Sequence, residues 1–164
     1  MEADLEGASI AEARLDGAHL SHANLKKADL RCANLRKVRA EDAKFDGTRL
    51  NGANLTGGSF VRASFVGTQL RWAELKSIDL SSADLTGADF KGANVTKANM
   101  SHAVLRDTSF EFADLRDASL AGANLKGVNF RGADLRGITG VKGHIGCEEL
   151  KAAGALLNEA TRCD

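Results

Sequence analysis

The chain has 164 residues, enough for one domain with a hydrophobic core and too few to expect two. Its 22 basic and 22 acidic residues give a formal net charge of zero, so no overall charge attracts it to nucleic acid or anionic lipid. Because the chain starts with the acidic run Met1-Glu2-Ala3-Asp4 and has no apolar run of membrane-spanning length, we expect a cytoplasmic protein without membrane insertion.

From Leu5 to Leu135, every fifth residue is large and apolar, except Ala40. Of these 27 positions, 17 are Leu and six are Phe. Two residues before each of them lies a compact residue, which is Ala at 20 of the 27 positions. A polar residue, usually Asp, Asn or Ser, stands between the two. The repeated unit is therefore Ala-(Asp/Asn)-Leu-x-x, where x varies.

This period of five residues excludes a helix, because steps of five drift around a turn of about 3.6 residues. In an extended strand, residues two apart point to the same side, so the Ala and the Leu of each unit face inward. The second x would face inward next, yet it is Gly or mostly polar, so the chain must turn at x-x. Twelve of the 17 glycines lie at this second x, where a corner can require positive φ.

These units resemble the repeats of the pentapeptide-repeat family, and the resemblance covers roughly residues 3–139. It implies an all-β solenoid: a right-handed quadrilateral parallel β-helix in which four units close one square coil. We expect about seven coils, which at a strand spacing of about 4.8 Å make a rod about 33 Å long.

A second period, of twenty residues, supports four sides. Phenylalanines recur at this spacing on two faces, where they would stack: Phe90, Phe110 and Phe130, and separately Phe45 and Phe65. Threonines share one column as well: Thr48, Thr68 and Thr108. In one unit the sizes are reversed, with Val38 at the compact position and the small Ala40 at the large position. A narrow tube of fixed volume requires such compensation.

The repeat ends after Gly140, so we divide the chain into a β-helix (1–140) and a C-terminal capping helix with its tail (141–164). The segment from Cys147 to about Ala160 has the apolar spacing of a helix. Its apolar stripe consists of Leu150, Ala153 and Leu157, with Leu156 beside it. We expect this helix to cover the last coil, because an uncapped solenoid end exposes strand edges.

Cys147 and Cys163 bracket the predicted helix, and a disulfide between them would fasten the cap. Two free thiols are the alternative, since three cysteines do not make a disulfide framework. Some pentapeptide-repeat proteins are similar in having a bridged helical C-terminus.

The N-terminal end differs from the capped C-terminal end in that the repeat has already begun at Ala3. Either another molecule covers the first coil, which allows a dimer through this end as well as a monomer, or the chain is a module of a longer protein. Acidic residues gathered there would protect the open edge by repulsion. They are Glu2, Asp4, Glu6, Glu12 and Asp16.

The sequence offers no catalytic, cofactor or metal site. A narrow tube filled by Leu, Phe and Ala leaves no cavity in which reacting groups could converge. His22 and His102 share a face but lie four coils apart, about 19 Å, and His19 beside His22 lacks a third ligand. We therefore predict that the chain is not an enzyme and binds no cofactor.

Outward-facing positions are free to form a binding face, and a period of twenty aligns two basic columns on neighbouring faces. The first contains Arg31, Arg71, Lys91 and Arg131 and is interrupted by Glu111. The second contains Arg36, Lys76, Arg116 and Arg136. Beside the first lie Trp72 and Phe112, the only aromatic residues outside the core positions. Arginine with exposed aromatic residues is typical of binding hot spots, which predicts a face for an acidic or phosphorylated protein partner.

Two alternatives to this face stay open. The columns could be a solvated stripe whose aromatic residues pack locally. Nucleic acid is a weaker option, because carboxylates dilute the field of the basic columns. These carboxylates are Asp29, Asp89, Asp114 and Asp134.

Two functions of different classes follow. The first is a passive protein-interaction scaffold with an unknown protein partner. The resemblance to repeats in some potassium-channel-tetramerisation-domain proteins implies that it could be one module of a larger adaptor. The second is a DNA mimic that binds DNA gyrase, as in fluoroquinolone-resistance members of the family. Those members are similar to one another in being strongly acidic, whereas this chain is neutral, so the scaffold is favoured.

Overall fold

The structure, a computed structural model, describes residues 3–141, 147–159 and 161. The chain winds as a right-handed, four-sided parallel β-helix in which each side contributes one ladder residue instead of a long strand. Asp4 pairs with Asn24, and every fifth residue after it pairs with the residue twenty positions later, as far as Ser119 with Thr139. This constant offset confirms the predicted square coil. We number the faces 1 to 4 by the large inward residue of the first coil: Leu5, Ile10, Leu15 and Leu20.

Each corner is a tight turn of the same kind. The N–H of the compact residue donates to the carbonyl of the preceding large residue, as from Ala8 to Leu5 at 3.0 Å. The second x has positive φ in all 27 units, at 12 glycines and at 15 other residues. Its N–H donates to the next coil, as from Gly7 to the Lys26 carbonyl at 2.8 Å. This ladder holds even non-glycine residues in a left-handed conformation that costs them about 1–2 kcal/mol.

The core is a continuous stack of the two inward residues of each unit. The predicted phenylalanine stacks are present: the ring centroids of Phe45 and Phe65 lie 4.8 Å apart, those of Phe90 and Phe110 4.9 Å, and those of Phe110 and Phe130 5.7 Å. The buried threonines each donate a hydrogen bond to a backbone carbonyl one coil earlier, as from Thr68 to Phe45 at 2.6 Å. The buried side-chain polar atoms of the described residues are therefore paired.

The exchange of sizes at Val38 and Ala40 is explained by the next coil. Phe60 lies one coil above Ala40, and its ring also contacts the rings of Phe45 and Phe65, at centroid distances of 5.6 and 5.5 Å. Gly58 is the compact residue of that unit, and a Cβ placed on it would lie 2.6 Å from the Phe60 ring. One large ring is thus accommodated by small residues beside and below it.

The C-terminal helix, α1, is shorter than predicted. It spans Cys147–Ala152, whereas the apolar spacing predicted a helix to about Ala160. Gly154 adopts a φ of +77°, and its N–H donates to the Lys151 carbonyl, which ends the helix. Of the predicted stripe, Leu150 is buried and Leu157 packs partly against the core, but Ala153 is exposed.

After α1 the chain adds a further rung to the ladder on face 3. Leu156 pairs in parallel with Asp134, and its carbonyl accepts the N–H of Leu135 at 2.8 Å. The Asn158 side chain accepts the N–H of Gly137 at 3.0 Å, in place of the next coil's carbonyl. The last coil is thus capped by hydrogen bonds as well as by a helix. The proposed bridge from Cys147 involves Cys163, which lies outside the described residues, so it stays a prediction.

The first coil is less well covered than the others. Its large residues Leu5, Ile10 and Leu15 are half-buried, while those of the third and later coils are buried. The lower edge of this coil is the least protected part of the described core.

Candidate partner-binding face

The two basic columns occupy two neighbouring corners on either side of face 3. We call the corner between faces 2 and 3 the aromatic corner. Its residues are Arg31, Cys32, Asn51, Gly52, Arg71, Trp72, Lys91, Gly92, Glu111, Phe112, Arg131 and Gly132. The corner between faces 3 and 4 is the basic corner, with Arg36, Lys37, Lys76, Lys97, Arg116 and Arg136. The fold thus brings all ten predicted face residues to two parallel edges of one side.

Two large rings stand at glycine-type positions of the aromatic corner. Trp72 has a φ of 58° and is 65 % exposed, and Phe112 has a φ of 57° and is 51 % exposed. Bulky residues seldom adopt this conformation, because their Cβ approaches the backbone too closely. Two exposed aromatic side chains are therefore kept where they are conformationally unfavourable.

Glycines alternate with these rings along the corner. A Cβ placed on Gly92 would lie 2.2 Å from the Trp72 ring, and one on Gly132 would lie 2.5 Å from the Phe112 ring. Each ring therefore rests on the bare backbone of the next coil. Gly52 stands in the same way one coil beyond Cys32, with its Cβ site 3.4 Å from the sulfur. This alternation was missed in the sequence, although reading every twentieth residue from Cys32 to Gly132 reveals it.

The cations of the aromatic corner are held by carboxylates beneath them. Arg31 donates two hydrogen bonds to Asp29, at 2.9 and 2.7 Å. Arg71 donates to Asp89 at 2.6 Å. The carboxylates are the more buried partners, so the outermost polar groups of this corner are hydrogen-bond donors.

Glu111, which interrupts the first basic column in the sequence, joins two of its members. It accepts a hydrogen bond from Lys91 at 2.7 Å and lies 3.4 Å from Arg131. These two cations also flank Phe112, at 5.4 and 6.0 Å from the ring centroid, within the range of a cation–π contact. Glu111 therefore positions two cations beside an exposed ring, a role that the sequence did not reveal.

Two of these ion pairs lower the pKa of their carboxyl group. The hydrogen bond from Arg31 lowers the pKa of Asp29 to about 2, although partial burial opposes the shift. The hydrogen bond from Lys91 lowers the pKa of Glu111 in the same direction. Both carboxylates stay ionised near neutral pH, so the corner keeps its paired charges there.

The basic corner is also partly neutralised. Arg116 binds Asp114 at 2.7 Å and Arg136 binds Asp134 at 2.6 Å. Lys76 and Lys97 line an open depression of about 210 Å³ together with Arg116. Arg36 lines a second depression, of about 300 Å³, at the other end of the same corner. The basic corner is therefore neutralised only in part, at Arg116 and Arg136.

Neither a metal-binding cluster nor a membrane-spanning helix occurs among the described residues. No group of three or more His, Cys, Asp or Glu side chains among them could hold a metal ion. No helix in this part of the chain is long and apolar enough to cross a membrane.

The fold and face define a class of protein: a rigid four-sided β-helix whose variable residues are displayed on its corners. Within that class, the chain belongs to the pentapeptide-repeat family. The family model, described as pentapeptide repeats, matches in eight copies over residues 1–36, 33–68, 63–101 and 98–137. A comparison with curated proteins found no match.

Several solved structures are similar. QnrB1, a plasmid-mediated fluoroquinolone resistance protein in its trypsin-treated R167E form, is 17 % identical over 95 % of this chain and 82 % of its own, with a TM-score of 0.54. HetL, a pentapeptide repeat protein involved in heterocyst differentiation regulation from the cyanobacterium Nostoc sp. strain PCC 7120, is 29 % identical over 85 % of this chain and 73 % of its own, with a TM-score of 0.47. The likeness to QnrB1 supports the fold alone.

Proposed function

We propose that this chain is a non-enzymatic cytoplasmic scaffold that binds a protein partner through its aromatic corner and the adjoining face 3. One observation carries the proposal: Trp72 and Phe112 are large exposed rings at corner positions whose conformation disfavours large side chains. The coil imposes this conformation at every corner, so it is the choice of an exposed ring for these two positions that points to function. Exposed rings beside arginines are also the composition of binding hot spots.

The charge arrangement favours a partner that is acidic or rich in hydrogen-bond acceptors. Arg131 is 72 % exposed, whereas its partner Glu111 is 17 % exposed. A partner approaching this corner therefore meets guanidinium and ammonium groups before it meets the carboxylates. Such groups supply orientation and association rate more than raw affinity, so the rings would carry most of the binding free energy.

A quantitative pull-down from the native cell extract tests the proposal. The test variant is Trp72→Ala/Phe112→Ala/Arg71→Glu. The control variant is His22→Ala/His102→Ala/Arg62→Glu on the diagonally opposite corner, where both histidines have positive φ and Arg62 is bound to Asp42 at 2.7 Å. We expect a partner that the wild type and the control variant retain and the test variant loses. Equal recovery by all three proteins would remove the aromatic corner from the function.

DNA mimicry of the gyrase-binding kind is the second candidate, and the fold likeness to QnrB1 is the observation in its favour. A DNA mimic must present a dense row of negative charge. This chain has a net charge of zero and displays cations on two corners of one side, which argues against mimicry. A supercoiling assay with purified protein separates the two candidates: inhibition of gyrase at micromolar protein would favour the mimic over the scaffold.

A further inference from the structure

We propose that the aromatic corner binds a proline-rich segment in the polyproline II conformation, with apolar residues of the segment at positions i and i+3 seated on Trp72 and Phe112. This inference rests on the proposed function and names the chemistry of its partner. It is carried by the spacing of the rings, by the side-chain donors around them and by the glycines on which the rings rest.

The spacing of the rings matches one turn of a polyproline II helix. Trp72 and Phe112 occupy the same corner two coils apart, which is about 9.6 Å at a strand spacing of about 4.8 Å. A polyproline II helix has three residues per turn and rises about 3.1 Å per residue, so residues i and i+3 lie on one side about 9.3 Å apart. In a β-strand, residues three apart point to opposite sides, so a strand could not place both on the rings.

The polar groups around the rings match a proline-rich backbone. The N–H groups of Trp72, Gly92 and Phe112 are all bonded to the next coil, at 3.0, 2.9 and 2.9 Å. These N–H groups are therefore not free to pair with an added strand, and the side chains beside the rings include the donors Arg71, Lys91 and Arg131. A polyproline II ligand has no internal hydrogen bonds and offers free carbonyl acceptors, while its prolines have no N–H that needs an acceptor. Side-chain donors therefore suit this ligand better than they suit an added strand.

The shape of the corner also favours a narrow, extended ligand. Gly92 and Gly132 lie under the Trp72 and Phe112 rings, because a Cβ at either glycine would overlap the ring. Both rings therefore lie along the edge of the rod, where a thin helix of three residues per turn can contact them. Aromatic surfaces that bind proline-rich segments use the same principle, because the ligand is already ordered and loses little conformational entropy. These 164 residues contain no proline, so the ligand lies outside them.

Trp72 is the sole tryptophan of the chain, so its fluorescence reports on this site alone. The experiment titrates the full-length protein with uncharged synthetic peptides. Two of them contain leucines separated by prolines, either Leu-Pro-Pro-Leu (i, i+3) or Leu-Pro-Pro-Pro-Leu (i, i+4), each within the same proline flanks. We expect saturable binding of the first in the ~0.1–1 mM range, as two exposed contacts would give, and binding about tenfold weaker for the second.

Variants establish where the peptide lies. Phe112→Ala keeps the fluorophore and should weaken binding of the i, i+3 peptide about tenfold, whereas His102→Ala on the opposite corner should leave it unchanged. Equal affinity for both spacings, or no effect of Phe112→Ala, would overturn the proposal. So would tighter binding of a glutamate peptide of equal length, or of a helical peptide with leucines at i and i+7.

These outcomes are distinct from failure of the proposed function. If no proline peptide binds but the pull-down partner still depends on Trp72 and Phe112, the corner binds a partner of different chemistry. If neither assay depends on the rings, both proposals fail together.

Discussion

At the second position of each corner, the backbone has nearly the same φ whether or not the residue is glycine. Gly92 has a φ of +67° and Trp72 one of 58°, so backbone conformation alone does not explain which corners carry glycine. On the aromatic corner the glycines lie one coil beyond a large side chain, and their missing Cβ makes room for it. Glycine at these positions therefore makes room for a side chain of the neighbouring coil, in addition to adopting the positive φ of its own turn.

A matched pair of substitutions separates these two roles of glycine. A Cβ at position 87 would meet nothing within 4 Å, whereas one at position 92 would lie 2.2 Å from the Trp72 ring, and both glycines have φ near +66°. We expect Gly87→Ala to lower the free energy of unfolding by about 1–2 kcal/mol through φ alone. Gly92→Ala should cost more and should also displace the ring. Acrylamide quenching of Trp72 fluorescence measures the displacement, and identical quenching in both variants would contradict the account.

Glu41 is the residue for which we expect a clear pH effect on stability. A hydrogen bond from Ser21 at 2.5 Å, and a second from Ser59, lower its pKa from 4.5 to about 2. The folded state therefore holds the ionised form more strongly than the unfolded state does. The resulting stability is complete above the unfolded pKa and is lost as pH falls from about 4.5 to 2.

Urea denaturation across this pH range checks the effect of Glu41. The wild type should lose stability as the pH falls, and Glu41→Gln should lose measurably less, because its amide does not titrate. Parallel curves for the two proteins would show that Glu41 does not carry the dependence.

At the scale of elements, the described residues of the C-terminal cap contact the rod through the buried side chains of Leu150 and Ala155 and through a few hydrogen bonds to the last coil. Leu150 is buried, while Leu156 is 55 % exposed and contributes through its backbone, which pairs with Leu135 and Ala133. The side chain of Thr161 adds a hydrogen bond to the Leu135 carbonyl at 3.0 Å. Removing Leu150 should therefore loosen the cap without unwinding the coils beneath it.

Hydrogen exchange resolves this local effect. In Leu150→Ala the amide of Leu135, which donates to the Leu156 carbonyl, should exchange at least about tenfold faster than in the wild type. The amide of Leu75, which donates to Asn94 in the middle of the rod, serves as the internal reference and should be unchanged. Equal acceleration at both amides would mean that the cap and the coils unfold as one unit.

The cap also shows how far the sequence could predict this protein. Periods of five and twenty residues together predicted the coil, because an inward small residue and an inward large residue recur from Ala3 to Leu135 with one exchange of sizes, at Val38 and Ala40. The end of α1 was not predictable from apolar spacing, since Leu150 and Leu157 fit a helix equally well with or without Gly154. The helix ends early because the last coil has an open ladder with which the following segment pairs. There the N–H of Leu135 donates to the Leu156 carbonyl, and the Ala133 carbonyl accepts the N–H of Leu156.

For the candidate face, a twenty-residue period predicted which residues share a corner but not which of them bind each other. Arg31 and Arg71 lie in one column, yet the first binds Asp29 of its own coil and the second binds Asp89 of the next coil. The difference follows from the sequence at the corresponding positions: the own-coil neighbour of Arg71 is Gln69 instead of an acid, and the next-coil neighbour of Arg31 is Arg49. Each arginine therefore binds the carboxylate that its surroundings offer, which comparing residues two before and eighteen after each arginine would have predicted.

On the scale of the whole molecule, a solenoid has no single centre. The contribution of a core side chain to stability therefore depends on its distance from an end. Leu15 and Leu75 occupy the same position of the repeat on face 3, but Leu15 is half-buried in the first coil and Leu75 is buried with coils on both sides. In repeat proteins each unit contacts only its neighbours, so an end coil lacks half of its interface.

Leu75→Ala should therefore cost about 2–5 kcal/mol, and Leu15→Ala about 1 kcal/mol. Chemical denaturation followed by circular dichroism gives both values. Equal costs would mean that the first coil is covered in solution, and a midpoint rising with protein concentration would identify the cover as a second copy of this chain.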